Sequence, residues 1–262
     1  MSIGRIRALG RAELLLLWRD RMALFNAVVP PVAIVGLAAG TPAGGGGRGD
    51  ALSGNAFLVT SLLGFVLLGA AYYTVVGTFV ARREGLVLKR LRVGELTDAQ
   101  VLVGTASPAI VLALAQIVLF TAAGAVFLGL PVPVNAAVLA LGALGGAGVF
   151  VLLAAASATV TRTVELAQVT TLPVVLACLL GSGVLIPLEA LPGPVAAVLR
   201  FLPLAPAVEL MRLGWLGTAG TGAPADFVGV FGAAAAPAAT LAGWAVLGVV
   251  VVRRWFRWEP RR

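Results

Sequence analysis

The sequence predicts an all-α integral membrane protein with six transmembrane helices and a short cytoplasmic helix between the second and the third. Hydrophobic residues make up 60% of the 262 positions and charged residues only 11%, whereas soluble domains carry roughly 25% charged residues. Several uncharged runs are longer than the ~20 residues that a helix needs to cross the hydrocarbon layer. Helices are expected because lipid offers backbone polar groups no hydrogen-bond partner.

Hydropathy places six spans within a single transmembrane domain, residues 1–262. The predicted spans are residues 22–40, 56–81, 101–130, 136–161, 166–187 and 227–252. Several of these runs exceed twenty residues, which allows tilt in the bilayer. The loops between them are short, except for the segment that follows the fifth span.

Basic residues predict the orientation of the spans. Sixteen of the 19 lysines and arginines lie in residues 1–21, after spans two and four, or after residue 252. The other three are Arg48, Arg200 and Arg212. Since basic residues accumulate on the cytoplasmic side, both termini are expected to be cytoplasmic in a multi-pass protein of the cell membrane. A cleaved signal peptide at residues 1–40 is a less favoured alternative, because its apolar core is interrupted by two prolines.

Residues 1–21 are predicted to form an interfacial helix rather than a span. Ile3, Ile6, Leu14 and Leu17 share one face of such a helix, which suits the membrane surface. The alternative is a frayed basic tail. At the other end of the chain, tryptophans alternate with arginines, as in interfacial anchors.

Residues 82–97, after the second span, are predicted to form a short amphipathic helix along the cytoplasmic surface. Arg82 and Lys89 are seven residues apart, as are Arg83 and Arg90, so that each pair shares a face. Apolar residues 87, 88 and 91 fall on another face, and a glycine at 94 could end the helix. From the residues alone, docking to a soluble partner and an ordinary positively charged loop are equally open.

The stretch "REGLVLKRLRVGEL" (83–96), between spans two and three of a six-span chain, resembles the signature segment of type-2 ABC transporter permeases, the drug- or antibiotic-exporter-like class. The matching positions are Glu84, Leu88, Lys89, Arg90, Leu91, Arg92 and Leu96. Two departures concern the ends of the helix. Gly85 stands one position before the usual glycine, and Glu95 stands where proline is common.

The resemblance implies that residues 82–97 are a coupling helix docked on a separate ATP-binding subunit. The implied docking residues are Arg83, Glu84, Leu88, Lys89, Arg90, Leu91 and Arg92. The resemblance further implies a dimer with a second copy or a sister permease, embedded in membrane lipid and binding no nucleic acid. Transport would follow alternating access, in which ATP closes the partner subunits and the coupling helices carry that motion into the spans.

This chain is expected to be no enzyme and to bind no cofactor, with ATP and Mg²⁺ on the partner subunit. Its nearest approach to a phosphate-binding loop, "GGGGRGD" (44–50), lacks the lysine followed by serine or threonine that such a loop requires. It is better explained as a flexible turn. The sequence contains no histidine, and no metal site is predicted.

A second feature supports the resemblance. Residues 188–217 are rich in proline and apolar residues but too broken to form a span, and irregular backbone at membrane depth must be covered by protein or line a cavity. The resemblance implies short re-entrant helices at the external end of the path. An exposed loop is the alternative, although such loops are rarely so apolar.

Polar residues of spans two and five are candidates for a translocation path. They are Tyr73, Thr74, Thr78, Gln168 and Thr171. For the tyrosine and the threonines, a hydrogen bond to a neighbouring helix is the favoured alternative. Separately, Gly142 and Gly146 have GxxxG spacing, which indicates close helix packing.

The low aromatic content, 7%, favours export of a hydrophobic, drug-like small molecule or a lipid. A polysaccharide or lipid-linked glycan would plausibly need more aromatic residues along its path, and it stays open as an alternative cargo. An ATP-independent secondary transporter or channel is a further alternative, disfavoured because no charged residue lies well inside a predicted span. A membrane-embedded enzyme would need a catalytic group of residues that the sequence does not suggest.

Overall fold

The computed structural model describes residues 29, 33, 35–37, 48–88, 90, 97–220, 223–256 and 258. The predicted interfacial helix at 1–21 and most of the first span, 22–40, lie outside the described residues. All regular secondary structure in the described part of the chain is helical, which confirms the predicted fold class.

The described helices follow one another along the chain with short connections. In chain order they are α1 (Arg48–Val66), a π-helical segment (Leu67–Tyr73), α2 (Thr74–Glu84), α3 (Asp98–Leu128), α4 (Ala136–Val160), α5 (Val164–Gly181), a 3₁₀ turn (Leu188–Ala190), α6 (Gly193–Leu199), α7 (Leu204–Leu216) and α8 (Gly229–Trp255). The first three elements form one continuous rod.

Five described helices are long and apolar enough to cross a membrane: Gly54–Glu84, Asp98–Leu128, Ala136–Val160, Val164–Gly181 and Gly229–Trp255. They correspond to the second to sixth predicted spans. The fifth predicted span corresponds to α5, which ends at Gly181, six residues before the predicted end at 187. Gly183 adopts a left-handed conformation with φ of 69°, which ends the helix although the apolar composition continues.

Helix ends are fixed by side chains that pair with free backbone amides. Thr97 and Gln100 form a reciprocal capping box at the start of α3. Asn135 precedes α4 and accepts hydrogen bonds from the amides of Ala137 and Val138, both at 3.1 Å. Its side-chain amide also donates to the carbonyl oxygen of Phe227 at 3.0 Å. The fully buried Asn135 therefore joins the start of α4 to the chain entering α8.

α6 and α7 form a sharply bent pair, with 96° between their axes. The sequence predicts short helices here, and the structure contains them. Their depth in the membrane stays a prediction. Trp244 of α8 donates a hydrogen bond from Nε1 to the carbonyl oxygen of Phe201 at 2.7 Å. This bond fixes the bend against the last span.

The core is centred on α4, and α7 lies closest to it. A Cβ atom on Gly214 would lie 2.2 Å from the backbone nitrogen of Leu139, and one on Gly142 would lie 2.8 Å from the carbonyl oxygen of Ala207. A Cβ on Gly146 would meet Ala207 from the same side, at 2.9 Å. Any side chain larger than hydrogen would therefore separate α4 and α7, and the close packing predicted from the GxxxG spacing is confirmed.

Candidate coupling segment and transport path

The segment after the second span does not form one helix from residue 82. α2 continues to Glu84 and ends in a turn in which the amide of Gly85 bonds to the carbonyl oxygen of Ala81 at 3.0 Å. Residues 87, 88 and 90 are helical again, with the Arg90 amide bonded to the carbonyl oxygen of Leu86 at 3.1 Å. Arg82 and Arg83 thus belong to the second span, and residues 91–96 lie outside the described part.

The break has a local signature at Leu86, which adopts φ of 58°. This left-handed region costs a non-glycine residue free energy because its Cβ approaches the following carbonyl oxygen. Leu86 occupies the position where the resembling pattern carries its usual glycine. The glycine at position 85 therefore does not relieve the left-handed conformation, which falls on the leucine that follows it.

Arg83 is buried, with 1% of its surface exposed. Its Nη1 donates to the carbonyl oxygen of Ala158 at 2.5 Å, and its Nη2 donates to that of Thr161. These carbonyls lie at the C-terminal end of α4, where carbonyl oxygens lack partners within the helix. The structure therefore corrects the predicted placement of Arg83 on a docking surface, because its guanidinium holds the end of α4 to α2.

Of the other predicted docking residues, Glu84 and Arg90 are exposed and available to a partner. Leu88 is fully buried, which corrects its predicted place on a docking surface. Lys89, Leu91 and Arg92 lie outside the residues whose side chains are described.

The predicted path residues of the second span lie on its surface. Tyr73 and Thr74 are exposed and Thr78 is half-buried. The hydroxyl of Thr74 donates to the carbonyl oxygen of Gly69 at 2.9 Å, and that of Thr78 donates to the carbonyl oxygen of Thr74 at 2.8 Å. These hydroxyls thus bond within their own rod, and the exposed face keeps the Tyr73 ring accessible.

The two path residues predicted in α5 differ in exposure. Gln168 is exposed, whereas Thr171 is buried and donates a hydrogen bond to the carbonyl oxygen of Ala167 at 2.7 Å. α5 packs along α2. Gln168 can face a path from this position, while the geometry of Thr171 favours the alternative of a satisfied hydrogen bond.

The π-helical segment ends in two consecutive tyrosines with different surroundings. Tyr72 is fully buried, and its hydroxyl lies 2.8 Å from that of Ser157 in α4. Its ring packs edge-on against Phe150 at 5.9 Å, whereas the neighbouring Tyr73 is exposed. π-helical turns occur often at functional sites. Sequence reasoning missed this segment, because no residue in "LLGAAYY" distinguishes it from an α-helix.

Further hydrogen bonds connect Ser157 of α4 to α5 through Thr161. Thr161 donates to the carbonyl oxygen of Ser157 at 2.8 Å, and its hydroxyl lies 2.7 Å from that of Thr170. With Arg83, these residues join α2, α4 and α5 at one end of the spans. Sequence reasoning missed the cluster, and the only available signal was the accumulation of threonines between residues 159 and 171.

Several apolar spans, a bent helix pair and a charged segment between the second and third spans define a multi-pass helical membrane protein. The family described as ABC-2 type transporter matches residues 4–216. This match covers most of the chain, so the protein belongs to that family and is a membrane permease of the type-2 ABC class. The family normally works with an ATP-binding subunit. No curated protein matches the sequence.

Proposed function

We propose that the chain is the transmembrane subunit of an ATP-driven exporter that moves a hydrophobic small molecule or a lipid outward. A separate ATP-binding subunit would supply the energy, with ATP and Mg²⁺ bound there. The observation that carries the proposal is the junction of α2, α4 and α5 through Arg83, one residue before the exposed Glu84. Family membership supports the same assignment.

The junction offers a route for force from the docking segment to the spans. A displacement of residues 84–90 would move Arg83 through the end of α2. The hydrogen bonds of Arg83 would then move the C-terminal end of α4, and the contact between Thr161 and Thr170 would move α5. Alternating access requires two arrangements of the spans with different affinity for the ATP-bound partner, and this junction couples the partner to three spans at once.

The proposed path lies along the exposed faces of the second span and α5, between this chain and a second copy or a sister permease. Tyr73, Thr74, Thr78 and Gln168 are its candidate contacts. The same two spans also expose apolar side chains, among them Phe65 and Leu172, which suits apolar cargo. We further propose that the protein lies in the cell membrane with both termini on the cytoplasmic side, because the basic residues are distributed asymmetrically.

The alternative of ion-coupled secondary transport would need a titratable group within the spans. Among the described residues the fully buried charged side chain is Arg83, and Arg212 is 9% exposed; neither is a carboxylate. Arginine keeps its proton at physiological pH. The buried charges of the described part therefore do not supply a proton carrier.

Affinity purification in mild detergent tests the partner. We expect the wild-type protein to recover an ATPase from its native cells, and the Glu84→Arg, Arg90→Glu double variant to lose it while folding normally. Arg162→Glu is the matched control, because Arg162 is an exposed arginine in another loop. Absence of an ATPase with folded wild-type protein would refute the exporter, whereas equal recovery with the double variant would refute only the docking site.

A further inference from the structure

A small polar cavity lies beyond the C-terminal end of α5, beside the bent helix pair. Its volume is about 160 Å³. The residues that give it its chemistry are Ser182, Leu188, Arg200, Val208, Glu209 and Arg212. At roughly 30 Å³ per water, the cavity holds a tetrahedral oxyanion with one or two waters. None of the described residues of the coupling segment or of the candidate path lines it.

Arg212 forms a fixed, mostly buried wall of this cavity. It is 9% exposed, and its Nε donates to the hydroxyl of Thr60 at 3.0 Å. Its Nη2 donates to the carbonyl oxygen of Gly183 at 2.8 Å, and the guanidinium lies 5.0 Å from the centre of the Phe57 ring. These contacts immobilise the cation, so that little side-chain entropy is lost when it receives a ligand.

Ser182 supplies an unused hydrogen-bonding group. It caps α5, is 2% exposed, and its hydroxyl contacts no hydrogen-bond partner among the described residues. Leaving a buried hydroxyl unpaired costs free energy, and native structures usually fill such a site with water or a ligand. The hydroxyl can therefore donate a hydrogen bond to a group bound in the cavity.

Arg200 completes the site from its solvent-exposed edge, at the end of α6. Among the described lining residues, two arginines against the carboxylate of Glu209 give a net positive charge. Arginine guanidinium groups match the oxygens of phosphate in charge and geometry.

We propose that this cavity binds a phosphate group, carried by the headgroup of a membrane phospholipid. α5 ends at Gly181, immediately before the cavity, and a span ends where the hydrocarbon layer gives way to lipid headgroups. A bound phospholipid would connect α5, α6 and α7 through charged contacts. This inference stands independently of the ATP-binding partner and of the cargo.

Native mass spectrometry of the purified protein in micelles containing phosphatidylglycerol tests the proposal. We expect a retained phosphatidylglycerol adduct, bound about tenfold more weakly by Arg200→Gln, from the loss of one charge-assisted contact. Arg253→Gln, an exposed arginine in the last turn of α8, is the matched control and keeps wild-type binding. Ser182→Ala removes only the buried hydroxyl and serves as a second test variant, independent of the surface charge.

Two further arms identify the source of the phosphate. Diacylglycerol, which lacks phosphate, should bind without dependence on Arg200. Inorganic phosphate at millimolar concentration raises the unfolding temperature of lipid-free wild type, but not of Arg200→Gln, only if the site also accepts free phosphate. The proposal is overturned if Arg200→Gln, Ser182→Ala and Arg253→Gln all retain phosphatidylglycerol as the wild type does, or if diacylglycerol binds equally well at the same site.

Discussion

Replacing Arg83 by alanine should cost the protein much of its stability. The change removes two hydrogen bonds from a buried guanidinium to the carbonyl oxygens of Ala158 and Thr161. Hydrogen bonds involving a charged group contribute about 1.5–3 kcal/mol each, whereas interhelical bonds in membranes average about 0.6 kcal/mol. Arg83 stands at the end of its helix and is only 1% exposed.

For the two bonds together we therefore expect a loss of about 3 kcal/mol, the lower end of the range for charged hydrogen bonds. This exceeds the membrane average because the truncation also leaves two carbonyls without their donors. This corresponds to a change of roughly a hundredfold in the unfolding equilibrium constant. Arg83→Lys should recover less than half of the loss, because a single ammonium cannot reproduce the planar fork of the guanidinium.

Reversible unfolding in mixed micelles, followed by tryptophan fluorescence, measures the difference. The protein contains five tryptophans. Arg90→Ala is the matched control, since Arg90 is exposed and surface substitutions usually change stability by less than about 0.5 kcal/mol. The reasoning is refuted if Arg83→Ala unfolds within that margin of wild type, or if Arg90→Ala is equally destabilised.

Substitutions at four further positions have definite expected outcomes in the same unfolding assay. Gly214→Ala should destabilise the protein by more than about 3 kcal/mol through overpacking, since its Cβ would lie 2.2 Å from a backbone nitrogen. Gly148 has open space around it, so Gly148→Ala should stabilise the protein by up to about 1 kcal/mol. Equal effects of the two substitutions would contradict the packing. Asn135→Ala should cost about 2 kcal/mol through its lost cap and buried amide bond, and Asn135→Asp should retain part of the cap. Leu86→Gly should stabilise by up to about 1 kcal/mol, because it relieves the left-handed backbone; destabilisation would show that the leucine side chain matters more.

The spans could be predicted because each is an apolar run bounded by turn residues or charges. Five of the six predicted spans coincide with described helices; the largest differences are at the start of the second, whose helix begins at Arg48, and at the end of the fifth. There, residues 182–187 are mostly apolar, but Gly183 turns the backbone out of the helix. Hydropathy responds to composition and does not detect a backbone angle.

The candidate site was less accessible to sequence reasoning because its contacts join distant residues. Arg83 was assigned to the surface together with its charged neighbours. Its actual partners are backbone carbonyls 75 and 78 positions later, and backbone acceptors leave no trace in composition. Similarly, Leu88 has the spacing of a docking face, but the structure buries it completely. Arg212 was counted among the basic residues of the non-cytoplasmic side, and that count gave no sign of its contact with the Phe57 ring.

The π-helical segment sets the angular relation between the two halves of the second span. An α-helix advances about 100° per residue, so deleting one residue from Leu67–Tyr73 would let this segment return to α-helical winding. The half that follows would then keep its orientation, and Arg83 would still reach α4. The same deletion made later, within α2, would turn Arg83 about 100° away from its carbonyls. Tolerance of length changes along this span should therefore be confined to seven residues.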